Sequence, residues 1–383
     1  MVPKVASAGG PASAGELAPA GLRVRPDPGC RLLAGGTVLA GGSPLRVLRL
    51  TPSGARHVAE WWRGVPLPDN PKARALARRL LDTGIAHPAV PGCAAVGPAD
   101  VTVVVPVRDR VTELARCLAG LTGQPAVIVV DDGSADPDAV ARAAAVAGAR
   151  VLRRPVNGGP GAARNTGLAA ADTPLVAFVD SDCVPAPGWL ERLVPHFADP
   201  AVGAAAPRIV AGCAGRAWLA RYEGASSTLD MGARPSIVRP GSRVTYVPGA
   251  ALVVRKAAAG AGFAEDMRVG EDVDFVWRLA SSGWRVRYEP AATMRHQHRV
   301  RLRTWFARRK DYGTSAADLE LRHPGNVRPL QVSAWTALAW LAAAAGRPAA
   351  GAVVTAAGTA LLARRLARVT GETWPRAGAA WRL

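Results

Sequence analysis

Asp180 and Asp182 stand two residues apart, directly after the apolar run Leu175-Val-Ala-Phe-Val179. With Ser181 between them, two carboxylates in that position can reach one divalent cation and the diphosphate it carries, as hard oxygen ligands do. A second acidic pair, Asp131-Asp132, closes another apolar run, Ala126-Val-Ile-Val-Val130, and precedes Gly133-Ser134. Carboxylates there suit a nucleobase N–H or a ribose hydroxyl, although residues before a glycine also serve as plain turn formers. Gly161-Ala-Ala-Arg164 reads as the opening of a helix, whose first amides favour a nearby anion while Arg164 reaches a base or phosphate. Further on, Glu271-Asp272 begins another helix. The helix dipole alone would favour acids there, but with metal-type carboxylates upstream the pair also supplies a candidate general base. His296 and His298 follow the strand-like Trp284-Arg-Val-Arg-Tyr288; one of the two can complete a metal shell, with the other an exposed neighbour.

These groups need a frame. Val101-Thr-Val-Val-Val105 reads as the first strand, leading into Pro106, Val107, Arg108 and Asp109, with further strands at 126–130, 149–153 and 175–179. Strands alternating with helical segments imply βαβ units and a largely parallel sheet with helices on both faces. Three strands deliver acidic or polar groups at their C-terminal ends, where open α/β sheets place ligands. Gly158, Gly159 and Gly161 resemble a dinucleotide fingerprint, but they follow the third strand and the first strand ends in Pro106. That position excludes the usual cofactor-binding turn, and with it a dehydrogenase. Pro248-Gly249-Ala250-Ala251 leads into a later strand, Leu252-Val-Val-Arg255, and Asp274 and Arg278 are spaced to pair on the outer face of their helix.

Together these motifs, from Val101 to about His298, resemble the family 2 glycosyltransferases of GT-A type. The resemblance implies a Rossmann-like nucleotide-diphospho-sugar transferase fold and an inverting transfer of a hexose. Pro106, Val107, Arg108, Asp109, Asp131, Asp132, Arg164, Asp180 and Ser181 would hold the nucleotide-sugar donor. Asp182 and His296 would bind Mg²⁺ or Mn²⁺, Gly249, Ala250 and Glu271 would face the acceptor, and Asp272 would be the general base. The chain departs from the family at Arg108-Asp109, where Tyr-Asn is common. The Gly/Leu-rich amino-terminal module and the later Leu302-Arg-Thr-Trp-Phe segment resemble the glycosyltransferases of the mycofactocin system. That likeness implies UDP-glucose as donor and β-linked glucose on a peptide-derived acceptor, with other hydroxyl acceptors as the broader class. A membrane-associated family 2 enzyme building an envelope polysaccharide or glycolipid, and an inactive binding module, are the alternative readings.

The remaining composition bounds the partners. The 383 residues carry a net charge of +19, almost all from Arg, which points to an anionic partner: diphosphate, a membrane surface or nucleic acid. No interleaved aromatic and basic reading motif accompanies it, so nucleic acid is excluded as the expected partner. Cys30, Cys93, Cys117, Cys183 and Cys213 are scattered and odd in number, which fits a reducing, cytoplasmic setting and neither a disulfide framework nor structural zinc. Residues 1–20 read as a disordered leader, and 21–90 as a small winged-helix-like or peptide-recognition-like module that packs or docks. Within it, 31–48 suggests two short strands around glycine turns, followed by a helix opened by Thr51-Pro52 and a second from Pro71 to Thr83, closed by Gly84. Residues 91–99 form a linker, 100–328 the catalytic domain, and 329–383 an apolar helical hairpin and tail. The Arg-rich stretch at 299–310 suits a membrane surface, the donor phosphates or solvent equally. Each half of the hairpin is shorter than the roughly 20 residues a bilayer span needs, which favours surface association or packing on the catalytic domain.

Overall fold

A computed structural model describes residues 17–89, 97–124, 126–212, 218–297, 302–327 and 332–370. The first unit holds β1 (Val24–Pro26), β2 (Arg31–Leu33), β3 (Val38–Gly41), β4 (Arg46–Arg49), α1 (Pro52–Trp62), α2 (Pro71–Thr83) and β5 (Ala86–Pro88). The second begins with β6 (Val101–Val107), α3 (Val111–Gly120), β7 (Val127–Asp132), α4 (Pro137–Val146), β8 (Arg150–Arg154), α5 (Gly159–Ala170) and β9 (Leu175–Val179). It continues through β10 (Cys183–Pro185), α6 (Trp189–Leu193), β11 (Val202–Ala211), α7 (Trp218–Ser226), β12 (Ser236–Val238) and β13 (Ala251–Arg255). It closes with α8 (Glu271–Ser281), β14 (Arg285–His296), α9 (Leu302–Arg322), α10 (Ala334–Ala344) and α11 (Pro348–Thr370).

The large sheet runs β10-β14-β11-β13-β9-β6-β7-β8, with β12 paired to β14. From β9 through β6 and β7 to β8 every pairing is parallel, as the alternation of elements predicts. Beyond β9 the sheet turns mixed: β13 runs antiparallel to both β9 and β11, while β11 and β14 are again parallel. The strand β6 shows why the sheet sits at the centre. Its β-branched residues alternate between two buried layers, Val101, Val103, Val105 and Val107 against α3, α4 and α6, and Val104 against α5 and α8. Successive strand residues point to opposite faces, so a strand apolar throughout must be covered on both.

Helix α5 lies closer to the sheet than an ordinary side chain would permit. A Cβ at Gly167 would fall 2.2 Å from Cγ1 of Val104. Glycine here buys close approach of helix to strand.

The amino-terminal unit has its own core, with Trp61, Leu80, Leu81 and Ile85 fully enclosed. Thr51 caps α1 by accepting from the Gly54 amide, and left-handed Gly84 closes α2, as the sequence predicts. The 31–48 stretch makes three antiparallel strands instead of two, because the turn at Gly41-Gly42 returns the chain as β4 along β3. Residues 1–16 of the predicted leader lie outside the described residues, and 17–20 correct that boundary: Ala18 is buried and its amide donates to the Arg74 carbonyl. Of the predicted linker, 91–96 lie outside the described residues.

The two units are joined by charge. Arg78 of α2 makes two 2.8 Å bonds to Asp199, both side chains buried. Nearby, Arg285 reaches Asp82, Arg287 donates to the Leu81 carbonyl, and Asp27 accepts from Arg243 and pairs with His87.

An alanine at a helix-interior glycine ordinarily adds up to about 1 kcal/mol of helix propensity. At Gly167 the overlap with Val104 outweighs it, and overpacking of this kind costs about 1–3 kcal/mol. Gly167→Ala therefore lowers the urea midpoint of unfolding; an unchanged or raised midpoint would show that α5 can shift away from β6.

Candidate active site

The C-terminal ends of β6, β7 and β9, the start of α8 and one side of α9 surround a cavity of about 1560 Å³. Single-ligand pockets run to roughly 1,000 Å³, so this volume admits two substrates side by side. One wall carries Asp180, Ser181, Asp182 and His296, and another carries Glu271 and Asp272. Carboxylates 90 residues apart along the chain thus converge on one space.

Asp182 and His296 meet through sheet pairing. Cys183 of β10 sits opposite His296 of β14, which brings the imidazole Nε2 to 3.5 Å from Asp182 Oδ1. The other oxygen, Oδ2, accepts from Arg110 Nη1 at 2.6 Å. His298 lies outside the described residues. Among the described residues, no group of three or more His, Cys, Asp or Glu side chains is arranged to hold a metal ion. Asp182 and His296 can nevertheless offer one such ion a carboxylate and an imidazole, with substrate phosphate and water left to fill the rest of its shell.

Arg164 occupies the middle of the site. In the first turns of α5, its guanidinium donates from Nη2 to Asp180 Oδ1 and from Nη1 to Glu271 Oε1, both at 2.8 Å. Its side chain is only 3% exposed and its Cζ sits 5.3 Å from the Phe263 ring centroid. Arg164 is therefore committed to two carboxylates, where the sequence suggests a base or phosphate contact. Burial, with the Asp272 charge beside it, pushes the Glu271 carboxyl up to about 6. Burial likewise raises Asp180 against the lowering pull of Arg164.

Asp272 enters α8 after Gly270, whose φ of +84° makes the left-handed turn that starts the helix. Its Oδ2 accepts from the Gly249 amide at 2.7 Å and its Oδ1 from the Val273 amide at 2.8 Å. A Cβ at Gly249 would lie 2.9 Å from Asp272 Cβ and 3.2 Å from Arg164 Cζ, so glycine is what allows these two to approach. Gly249 itself does not line the cavity, whereas its neighbour Ala250 does.

The nucleotide-side residues divide. Pro106, Val107, Arg108, Asp109 and Asp132 line the cavity, and Asp131 does not. The strand β7 continues through Asp132, so adjacent residues face opposite ways. Asp131 turns inward, is 1% exposed, accepts from the Ser134 amide and pairs with Arg153. Asp132 accepts from the Gly158 and Gly159 amides at 3.0 and 2.8 Å and from Arg154 Nε at 2.8 Å. A protein carboxylate thus already meets the amides at the start of α5. Asp109 holds a φ of +56°, with its amide on Ser134 Oγ and its carboxylate on the Ala135 amide.

Sequence reasoning missed Arg110, the next residue after Asp109, and the cavity-lining aromatics Tyr246, Trp277 and Tyr312. Only adjacency to Asp109 could have flagged Arg110. Asp274 is buried, contrary to the outer-face reading: it pairs with Arg278 as expected, and its other oxygen meets His323 at the end of α9. Of α9, the cavity receives Asp311, Tyr312, Ser315 and Ala316, while Arg309 stacks on Trp305. Its described arginines are not the lining. Cys30, Cys117 and Cys183 are free, as the odd, scattered count suggests.

A mixed sheet with acids at its strand ends, closed by a helix that begins Glu-Asp, is the architecture of a GT-A glycosyltransferase. The glycosyl transferase family 2 profile matches residues 102–259. Over 360 residues the chain is 45% identical to the pre-mycofactocin glycosyltransferase of Mycobacterium tuberculosis, covering 91% of this chain and 74% of that protein. The chain belongs to glycosyl transferase family 2. It is also 30% identical over 213 residues to succinoglycan biosynthesis protein ExoU of Rhizobium meliloti, covering 50% of this chain and 60% of that one. Among solved structures, a mannosyltransferase from Pyrobaculum calidifontis in complex with GDP-Man and Mn²⁺ superposes with a TM-score of 0.45. It is 23% identical and covers 71% of this chain and 84% of that one.

Removing one partner from a buried charge cluster costs about 3–5 kcal/mol, because the remaining charges are left uncompensated. Arg164→Leu is expected to lose that much on urea unfolding at pH 7. Arg164→Lys recovers only part, since an ammonium cannot make two planar contacts at once. Full recovery by lysine would show that the fork geometry is immaterial.

Proposed function

We propose that the chain is a metal-dependent, inverting hexosyltransferase that moves a sugar from a nucleoside-diphosphate donor, UDP-glucose, onto an acceptor hydroxyl. The observation that carries this reading is the shared cavity of Asp182 with His296 on one wall and Asp272 on another. A transferase needs its leaving-group site and its base on opposite sides of the reacting carbon. The acceptor side is assigned to a peptide-derived redox cofactor precursor, mycofactocin or its forerunner, carrying or receiving β-linked glucose. That assignment rests on the name of the Mycobacterium tuberculosis relative, which the chain resembles over most of both lengths.

Asp272, held by the Gly249 amide, takes the proton of the acceptor hydroxyl as that oxygen attacks the anomeric carbon. Help of this kind is worth about 10²–10⁴-fold in rate. Asp132, Asp109 and Arg108 lie where the nucleoside would sit, and Asp180 is positioned by Arg164 toward the ribose or the cation's water. Asp182 and His296 would hold Mg²⁺ or Mn²⁺, which supplies positive charge to the departing diphosphate. Ala250 and Glu271, with Tyr246 and Tyr312, flank the acceptor side.

A peripheral membrane contact is a second reading, favoured by the hairpin of α10 and α11, which leaves Trp340, Leu341, Val353 and Leu362 exposed. Among the described residues no helix is long and apolar enough to cross a membrane. The converging carboxylates favour an active enzyme over an inactive binding module.

Asp272→Asn should keep its affinity for UDP in isothermal titration while kcat drops about 10²–10⁴-fold. Asp182→Ala should weaken Mn²⁺-dependent UDP binding. Loss of donor affinity and kcat in equal measure on Asp272→Asn would count against that residue as the base.

A further inference from the structure

Three features of the Asp182 corner bear on how its cation arrives. The first is occupancy of the carboxylate. Arg110 Nη1 lies 2.6 Å from Asp182 Oδ2, and His296 Nε2 faces Oδ1. A divalent ion binds a carboxylate oxygen at roughly 2.0–2.2 Å, and a guanidinium on the same oxygen would repel it. The second is the small protein share of the donor set, since among the described residues no cluster of three or more acidic, His or Cys side chains can hold a metal. The third is the placement of Arg110: its side chain is 32% exposed and lines the same cavity as Arg108 and Asp180.

From these we infer that Arg110 guards the cation site. It holds Asp182 until a nucleoside diphosphate enters, then exchanges the carboxylate for the diphosphate and frees Asp182 for the ion. The exchange is favourable in that order because phosphate oxygens offer a guanidinium two parallel charge-assisted bonds. It is unfavourable in the reverse order, because a cation arriving alone must displace Arg110 with no anion to receive it. Cation and nucleotide thus bind cooperatively, and the coupling must be reciprocal. Arg110 acts here as a positioning residue through Asp182. The inference rests on the metal-dependent reading above.

The test is Mn²⁺ binding to the full chain, followed by the electron paramagnetic resonance of free Mn²⁺, with and without saturating UDP. Arg110→Gln should bind Mn²⁺ without UDP roughly two- to fivefold more tightly than wild type, the scale of a partly exposed ion pair. The gain in Mn²⁺ affinity that UDP confers should shrink by at least the same factor. Arg110→Lys, charged but without the planar fork, should fall between. Arg116→Gln removes a nearby positive charge of α3 that donates to Gln297, not to Asp182, and should leave Mn²⁺ affinity as in wild type. Circular dichroism melts confirm that each variant is folded. Wild-type Mn²⁺ affinity in Arg110→Gln without UDP, or an equal gain in Arg116→Gln, overturns the guarding role while leaving the metal site standing. Absence of Mn²⁺ binding in every protein, with and without UDP, overturns both the role and the metal-dependent reading.

Discussion

A single buried cation sets the geometry of the cavity. Arg164 comes from the helix after β8, Asp180 from the end of β9, and Glu271 from the start of α8, and each is fixed by the other two. In a poorly solvated interior a guanidinium without partners is intolerable, so the wall carrying Asp182 and the wall carrying Asp272 are held at one spacing. Glu271 and Asp272 are neighbours, which means the clamp on one carboxylate orients the other. The glycine at 249 belongs to the same constraint, since any side chain there would push apart the pair it lies between.

Around that clamp, the loops at the strand ends are tied by carboxylates that accept from backbone amides. Asp131 binds the Ser134 amide, Asp132 binds the opening of α5, and Asp109 binds the Ala135 amide. Each removes a dangling backbone donor that would otherwise need water or substrate. Backbone donors along this side of the cavity are therefore met within the protein, while Arg110 beside them pairs with Asp182.

Much of this frame was legible in the sequence for a simple reason. Runs of β-branched residues such as 101–105 and 175–179 bury both faces and have few alternatives to a central strand. Asp180 and Asp182 could be placed because they leave such a run, and Gly84 and Thr51 because helix ends have chemical signatures. What escaped was set by tertiary contact. The destination of Arg164 depends on Glu271, 107 positions away, and no local pattern encodes it. The contrast between Asp131 and Asp132 turns on whether β7 runs two residues further, a boundary that a pair of acids before glycine disguises. Asp274 reads as outward because its second partner, His323, lies just beyond the end of a different helix, α9. The antiparallel β13 follows from Pro248-Gly249 returning the chain beside β9, which periodicity cannot foresee.

The bonds that join the amino-terminal unit to the catalytic one also carry a thermodynamic meaning. Asp199 and Arg287 are interior groups of the large unit, yet Arg78, which pairs with the first, and the Leu81 carbonyl, which accepts from the second, belong to the small one. Excising the small unit would leave the buried Asp199 carboxylate without Arg78, so the two halves should melt together in one calorimetric transition. An appendage that can be trimmed without penalty does not hold a buried ion pair of this kind through its second helix.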